Sequence, residues 1–260
     1  MDDSGERTPY RRTAAWYDAI YRARGRDCAR EVASISRHWI DDGRSPETRR
    51  VLELGCGTGA HGPGLSGHGA LTGVDRSPSM LEQARRTGCY QHLLEADVLA
   101  LPRDRGYELV TSLFGVFGYL EHPAQLHAAL HDAGRLLVPG GTLLVEPPIL
   151  AERLQPPRVD HVETAFEGGT LARTARARTE PGVLVIEFEW TLAPGPGSHS
   201  PSDPVRVIEE HRMLLLPSAE WLGIARSALG PGFEVVLDED GPLGRGLLVA
   251  FNRDGAVDTG

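Results

Sequence analysis

Two stretches of the sequence place atoms where a nucleotide could be held. The apolar run Val51-Leu52-Glu53-Leu54 opens into Gly55-Cys56-Gly57-Thr58-Gly59. Val74-Asp75 follows, its carboxylate 20 residues beyond Gly55. Glycines at such a turn let the backbone approach a bound ligand, and an acidic residue ending the next strand can accept two hydrogen bonds from a ribose diol. The spacing Gly55-x-Gly57-x-x-Ala60 also satisfies the loose dinucleotide fingerprint, so the glycines alone leave the nucleotide open.

Three further features separate the candidates. Glu53 stands just before the loop, where it can face a cationic amino group; a dinucleotide site favours an apolar residue beside its pyrophosphate. Glu95-Ala96-Asp97-Val98 follows a third apolar run and would set Asp97 over an adenine amino group. Near its end the chain carries Phe233-Glu234-Val235-Val236-Leu237 and Leu247-Leu248-Val249-Ala250-Phe251. These form a terminal β-hairpin that dinucleotide folds do not require. Together these residues resemble the class I S-adenosylmethionine (SAM) methyltransferases. The resemblance implies SAM as methyl donor, S-adenosylhomocysteine as product, and an α/β fold with a Rossmann-like seven-stranded sheet that ends in the hairpin.

Breakers and hydrophobic period outline the elements that must position these residues. Residues 1 to 9 read as mobile, and residues 12 to 24 and 27 to 41 as two helices that end at Gly43 and Pro46. Strand Arg50 to Leu54 leads to a helix near 59 to 67, and strand Leu71 to Asp75 to a helix from Ser77 to Thr87, with Ser77 as cap and Pro78 in the first turn. Strands at 91 to 95 and Tyr107 to Leu113, a helix at 123 to 137, and a Pro139-Gly140-Gly141 turn into strand Thr142 to Glu146 complete a βαβ alternation. Ligands bind at the carboxyl ends of such strands. After Pro147-Pro148, residues 158 to 166, 170 to 179, 183 to 193 and 204 to 216 are extended segments with period-two stretches, separated by turns at Gly168-Gly169 and Pro181-Gly182. They predict an inserted antiparallel sheet with a Pro/Gly-rich, disordered tip near 193 to 200, followed by a helix over 218 to 229. The domains expected are an N-terminal helical lid (1–45), a SAM-binding domain (46–150 and 217–254), and a sheet for substrate binding and dimerisation (151–216).

Composition narrows the partners. The 260 residues are 40% hydrophobic, enough for a buried core, and the net charge of −9 argues against phosphate-backbone binding, so no nucleic acid is expected. No stretch reaches the length of a membrane span. Cys28, Cys56 and Cys89 lack metal or disulfide spacing, which suits a reducing cytoplasm. His127 and His131 have helical i, i+4 spacing without a third ligand, so no metal is expected.

Longer segments carry a closer resemblance: Trp16 to Asp27, Ser112-Leu113-Phe114-Gly115-Val116-Phe117-Gly118-Tyr119-Leu120, Val145-Glu146-Pro147, and Gly241-Pro242-Leu243-Gly244-Arg245-Gly246-Leu247. They are similar to the N,N-dimethyltransferases that act on nucleotide-linked 3-amino sugars in macrolide biosynthesis, over nearly the whole chain. Two departures stand out: Pro148-Ile149-Leu150 replaces an aromatic cluster, and Cys28 stands where the family often has Tyr. The resemblance implies N-methylation of a dTDP-linked deoxyamino sugar by a homodimer; another secondary-metabolite acceptor is the alternative. Expected cofactor contacts are Tyr21, Glu53, Gly55, Cys56, Gly57, Asp75, Arg76, Met80, Asp97, Val98 and Leu113. Expected substrate contacts are Tyr17, Phe114, Glu146, Arg173 and Arg245, with Tyr119 beside the reacting amine.

Each of these has a plainer reading. Tyr119 is either a proton relay or a pocket wall. Tyr17 and Tyr21 either lid the site or anchor their helix. Glu146 either meets the substrate or bonds to nearby backbone. Arg173, Arg176, Arg178 and Arg245 either grip a diphosphate or guard strand edges. Arg26 or Arg30 could meet the SAM carboxylate, and His211 could face the acceptor.

Overall fold

The computed structural model describes residues 9–39, 45–101, 106–155, 159–195, 203–241 and 244–253. Two helices, α1 (Ala14–Ala23) and α2 (Cys28–Ile35), precede strand β1 (Arg50–Leu54). Asp27 caps α2 by accepting a hydrogen bond from the Arg30 amide at 3.0 Å, satisfying a donor that has no helical partner. The chain continues through α3 (Gly62–Leu65), β2 (Ala70–Asp75), α4 (Pro78–Thr87), β3 (His92–Glu95), β4 (Tyr107–Ser112), α5 (Pro123–Arg135) and β5 (Leu137–Val145). Four long strands follow: β6 (Val159–Phe166), β7 (Gly169–Glu180), β8 (Val183–Ala193) and β9 (Val205–Leu214). Helix α6 (Ser218–Leu229) and the hairpin β10 (Phe233–Asp238) and β11 (Leu247–Asn252) close the fold.

The main sheet has the order β10-β11-β5-β4-β1-β2-β3, and only β11 runs antiparallel to its neighbours. Its central strands are buried on both faces, β4 at every residue, as parallel strands covered by helices on each side must be. One face packs α5 and α6 around Trp221, Leu126 and Leu130; the other packs α2 through Val32 and Ile35. The seven-stranded order puts the ends of β1 and β4 side by side, so the loops after them share one crevice.

The inserted strands form a separate antiparallel sheet, β6-β7-β8-β9. Glu167 and Gly168 both have positive φ, the geometry of a two-residue hairpin whose twist matches its strands. One face of this sheet buries Leu171, Phe188, Trp190 and Val207 against Ile20 of α1. That packing draws α1 over the carboxyl ends of the main sheet.

Three elements differ from the sequence reading. The helix expected over 27 to 41 ends at Ile35, where the Ser36 hydroxyl bonds back to the Val32 carbonyl; a 3-10 turn follows over Ser36–His38, and Trp39 is extended. The helix expected near 59 to 67 is a single α turn, α3, followed by a 3-10 turn over Ser66–His68. Gly62, Gly64 and Gly67 raise the entropic cost of a longer helix. The Pro139-Gly140-Gly141 turn is absorbed into β5 as an irregularity, where the register against β4 shifts between Tyr107 and Leu109. The expectations for residues 1 to 8 and 196 to 200 lie outside the described residues. No helix among the described residues is long and apolar enough to cross a membrane.

Candidate active site

The turn after β1 is built by hydrogen bonds that leave its glycines facing a cavity. The amides of Gly55 and Cys56 both donate to the Val74 carbonyl, at 2.7 and 2.9 Å. Gly55 and Gly57 have φ of 69° and 56°, which L side chains rarely adopt. Asp75 is held by the loop it serves: the Gly57 amide donates to Oδ2 and the Ser77 amide to Oδ1, both at 2.8 Å. Burial pushes the Asp75 carboxyl up, and the two amides only partly offset it. Asp97 is set similarly, accepting the Leu99 amide at 2.9 Å, with Arg76 3.8 Å away.

Gly55, Gly57, Asp75, Arg76, Ser77 and Asp97 line one cavity of about 960 Å³. Small-molecule sites span roughly 300–1,000 Å³, so there is room for a cofactor and an acceptor together. Met80, Val98 and Leu113 give the acidic end apolar walls. Tyr17, Tyr21, Phe114, Tyr119, Arg173 and Arg245 line the same cavity, as does an apolar strip of the inserted sheet: Ala175, Ala177, Leu184, Ile186 and Met213.

The aromatic side of the cavity is closely packed. Tyr21 stands edge-on to Phe114 with centroids 5.0 Å apart, and Tyr17 packs 4.4 Å from Tyr21. The Arg26 and Arg245 guanidiniums lie 3.6 and 4.2 Å from the Phe114 centroid. Phe114 itself has φ of 63°, a strained conformation for a bulky residue, and its amide donates to Glu146 Oε2 at 2.6 Å. Arg173 is 1% exposed, with Nη2 on Asp160 at 3.0 Å. Its Nε and Nη1 have no partner among the described residues. Tyr119 ends the 3-10 turn after β4, its hydroxyl 2.8 Å from His211 Nδ1 and 3.2 Å from the Tyr10 hydroxyl. Burial pushes this phenol well up, so it is protonated at neutral pH.

Three expected contacts are not brought to the cavity. Glu53 is turned beneath the loop, where it accepts the Tyr90 hydroxyl at 2.6 Å and faces His61 at 3.2 Å. Cys56 is buried behind the turn, and its thiol is pushed up by burial. Glu146 stands behind Phe114, 3.6 Å from Arg245 Nε, spent on backbone and on a cation rather than on open space. The arginines of β7 divide as the alternation of a strand predicts, with Arg176 and Arg178 on the face opposite Arg173. Arg173 faces inward, whereas Arg176 and Arg178 pair with Glu189 and Glu210 at 3.0 Å on the outer face. His127 and His131 reach α6, through Ser227 and the Ala228 carbonyl.

Arg26, expected near a cofactor carboxylate, instead joins a buried network under the loop. Its Nε pairs with Glu31 at 3.1 Å, and Glu31 also meets His61 Nε2 at 2.8 Å. Cys28, Glu31 and His61 offer ligand atoms within 4.8 Å of one another. However, the Arg26 guanidinium stands 3.0 Å from His61 and opposes a cation, and burial raises the Cys28 thiol to about 11.

The same network sets a pH dependence of stability. Burial works against a charged His61, but the hydrogen bonds to Glu31 and Glu53 outweigh it and raise its pKa. Burial likewise opposes the Glu31 charge, and His61 and Arg26 outweigh it and lower its pKa. A raised His61 stabilises fully below its ordinary value and is lost as pH rises through its folded one; a lowered Glu31 stabilises above its ordinary value. The contribution is therefore complete from about pH 4.3 to 6.5. Denaturant unfolding of His61→Gln is expected to show a deficit of roughly 1–3 kcal/mol in that window, shrinking as pH rises above it. A deficit independent of pH would contradict this account.

The fold and the cavity, with Asp75 and Asp97 at the ends of adjacent strands β2 and β3, define a class I SAM-dependent methyltransferase. A family described as "Methyltransferase domain" matches residues 51–141. The dTDP-3-amino-3,4,6-trideoxy-α-D-glucopyranose N,N-dimethyltransferase of Streptomyces venezuelae is 32% identical over 235 residues, covering 90% of this chain and 94% of that protein. The dTDP-3-amino-3,6-dideoxy-α-D-glucopyranose N,N-dimethyltransferase of Streptomyces fradiae is 29% identical, covering 92% and 90%. The crystal structure of Streptomyces venezuelae DesVI superposes with a TM-score of 0.78 at 30% identity, covering 90% and 95%. SAM-bound CalS10, an amino pentose methyltransferase from Micromonospora echinaspora, superposes with a TM-score of 0.74 at 28% identity, covering 91% and 96%. The chain belongs to the family of these sugar N,N-dimethyltransferases.

Tyr10 and Phe188 were missed in the sequence. Tyr10 lies outside any periodic segment, and nothing local marks it. Phe188 shares a strand face with Leu184 and Ile186, so the period of two could have pointed to it.

Proposed function

We propose that this methyltransferase transfers a methyl group from SAM to the amino group of a nucleotide-linked deoxyamino sugar. The observation that carries the reading is one cavity lined by the Asp75 and Asp97 carboxylates, the Tyr119 hydroxyl, and the Arg173 and Arg245 guanidiniums. Asp75 is suited to the ribose diol, Asp97 to the adenine amino group, and Met80, Val98 and Leu113 to the apolar faces of the cofactor. When bound, SAM supplies a methyl already activated by its sulfonium, so the protein's work is aim and desolvation. The Tyr17, Tyr21 and Phe114 rings exclude water from the site. The two unpartnered nitrogens of Arg173, Nε and Nη1, and the fork of Arg245 suit a diphosphate.

Incubation with SAM and a thymidine-diphosphate 3-amino-3,6-dideoxyhexose, followed by mass spectrometry, is expected to show one or two added methyl groups. Bound SAM without product would move the search to other acceptors. The apolar strip Ala175, Ala177, Leu184, Ile186 and Met213, with Pro148-Ile149 beside it, favours a less polar secondary metabolite as the second reading. Arg245 is about one-third exposed, so solvent screening discounts its pairing. Arg245→Ala is expected to raise KM for a diphosphate acceptor by about five- to tenfold with little change in kcat. An unchanged KM would mean that no phosphate sits there.

The reading extends to a homodimer in the cytoplasm. Val159 on β6 and Val205 and Ile208 on β9 are exposed apolar residues at the edges of the inserted sheet, which supports pairing there. A monomeric mass by light scattering at micromolar concentration would count against the dimer. Three free thiols among the described residues suit a reducing compartment.

A further inference from the structure

We propose that the proton released by the acceptor leaves through Tyr119 to His211, a positioning residue on the inserted sheet. The inference rests on the N-methylation reading. An amine arrives largely as an ammonium and cannot attack a methyl group until it loses a proton. Tyr119 lines the cavity, but its buried phenol is a poor resting base. Behind it stands an imidazole, the side chain suited to taking and releasing protons near neutral pH.

The geometry selects the tautomer. His211 is 1% exposed and presents Nδ1 to the Tyr119 hydroxyl at 2.8 Å. Its Nε2 has no hydrogen-bond partner among the described residues and lies 3.8 Å from a Glu209 carboxylate oxygen. A bare Nε2 would set a lone pair toward that carboxylate, whereas a protonated Nε2 is attracted to it. Hydrogen on Nε2 leaves Nδ1 to accept from Tyr119.

The transfer balances. The phenol oxygen takes the ammonium proton as its own hydroxyl proton passes to Nδ1. Tyr119 ends neutral, His211 becomes imidazolium, and the amine is freed with its lone pair. Glu209 then faces a cation. Glu209 is itself fixed by the Thr13 hydroxyl at 2.9 Å, which ties the arrangement to the start of α1. The other groups against the ring are Tyr10, with centroids 4.6 Å apart, and Phe188 at 4.7 Å. Arg173 lies beyond Phe188, 4.9 Å from that ring.

The test compares wild type, Tyr119→Phe, His211→Asn and the double variant, with kcat/KM measured from pH 6 to about pH 10, where alkyl amines lose their proton unaided. Asn can still hydrogen-bond Tyr119 but cannot accept a proton. At pH 7 each single variant is expected to lose roughly tenfold or more, the double variant no more than either, and the losses to close toward pH 10. SAM binding by calorimetry, unchanged in each variant, shows that the fold is intact; His211→Gln replaces any variant that fails this control. Nitrogen NMR of histidine-labelled protein, with His211 assigned by its loss in the variant, is expected to show hydrogen on Nε2. Wild-type rates in His211→Asn, a loss that persists at pH 10, or hydrogen on Nδ1 would overturn the relay. A wild type that binds SAM but methylates no amine would instead remove the reading on which it rests.

Discussion

Asp75→Ala is expected to weaken SAM binding by about 3 kcal/mol, more than a hundredfold, as measured by calorimetry at neutral pH. A carboxylate that accepts two ribose hydroxyls makes two charge-assisted bonds, each worth about 1.5–3 kcal/mol before compensation by water. The same carboxylate ties down the amides of Gly57 and Ser77, so its removal also loosens the glycine turn and the start of α4. Fold stability should fall by much less than binding. Burial already opposes this charge, and the variant is relieved of that cost. Asp75→Asn, which keeps one acceptor oxygen, should lie between. Affinity within threefold of wild type for the alanine variant would show that the ribose is held elsewhere.

Gly55→Ala tests the other half of the cofactor end, and there stability and binding should fall together. A side chain at φ of 69° costs about 1–2 kcal/mol. Its Cβ would also lie 2.4 and 2.5 Å from the two methyl carbons of Val116 and 3.0 Å from its Cβ. Val116 is β-branched, with little rotamer freedom, and it begins the 3-10 turn that ends at Tyr119. Relief of the clash must therefore displace that turn. With overpacking at about 1–3 kcal/mol, the expected loss is roughly 2–5 kcal/mol in unfolding free energy. SAM affinity should fall with it, because the glycine turn itself is distorted, and methyl transfer should fall further, because Tyr119 shifts. Gly57→Ala is the contrast: its φ of 56° carries the backbone cost, but no atom lies within 4 Å of the added carbon. Equal effects of the two substitutions would mean that the contact with Val116 does not matter.

Much of the fold was legible because its signals are local. Ser77-Pro78 marks the start of α4, and the Ser77 hydroxyl does accept the Met80 amide. The alternation in Val183 to Trp190 marks β8, and Gly168-Gly169 marks the turn between β6 and β7, which the structure centres on Glu167 and Gly168. Where competing terms were close, the reading slipped. Residues 59 to 67 stand where the βαβ alternation needs a helix but hold too many glycines to sustain one, and only the structure shows that one turn survives. The lining of the cavity was legible in a similar way. Gly55, Asp75 and Asp97 are set by position relative to strand ends, and strand ends are visible in sequence. Glu53 shows the limit: it also sits at a strand end, but Tyr90, 37 residues on, and His61, beyond the turn, claim its carboxylate.

The sequence by itself determined the βαβ order, the glycine turn with its acidic partner, the inserted sheet and the terminal hairpin, because each depends on residues close in the chain. Only the tertiary structure decided which polar groups were left for a ligand. It paired Glu146 with Phe114 and Arg245, and closed His61 between two glutamates. It also set His211 behind Tyr119, 92 residues away. Hydrogen bonds and burial saturate a side chain by proximity in space, and that proximity is settled by packing between elements, which no local pattern encodes.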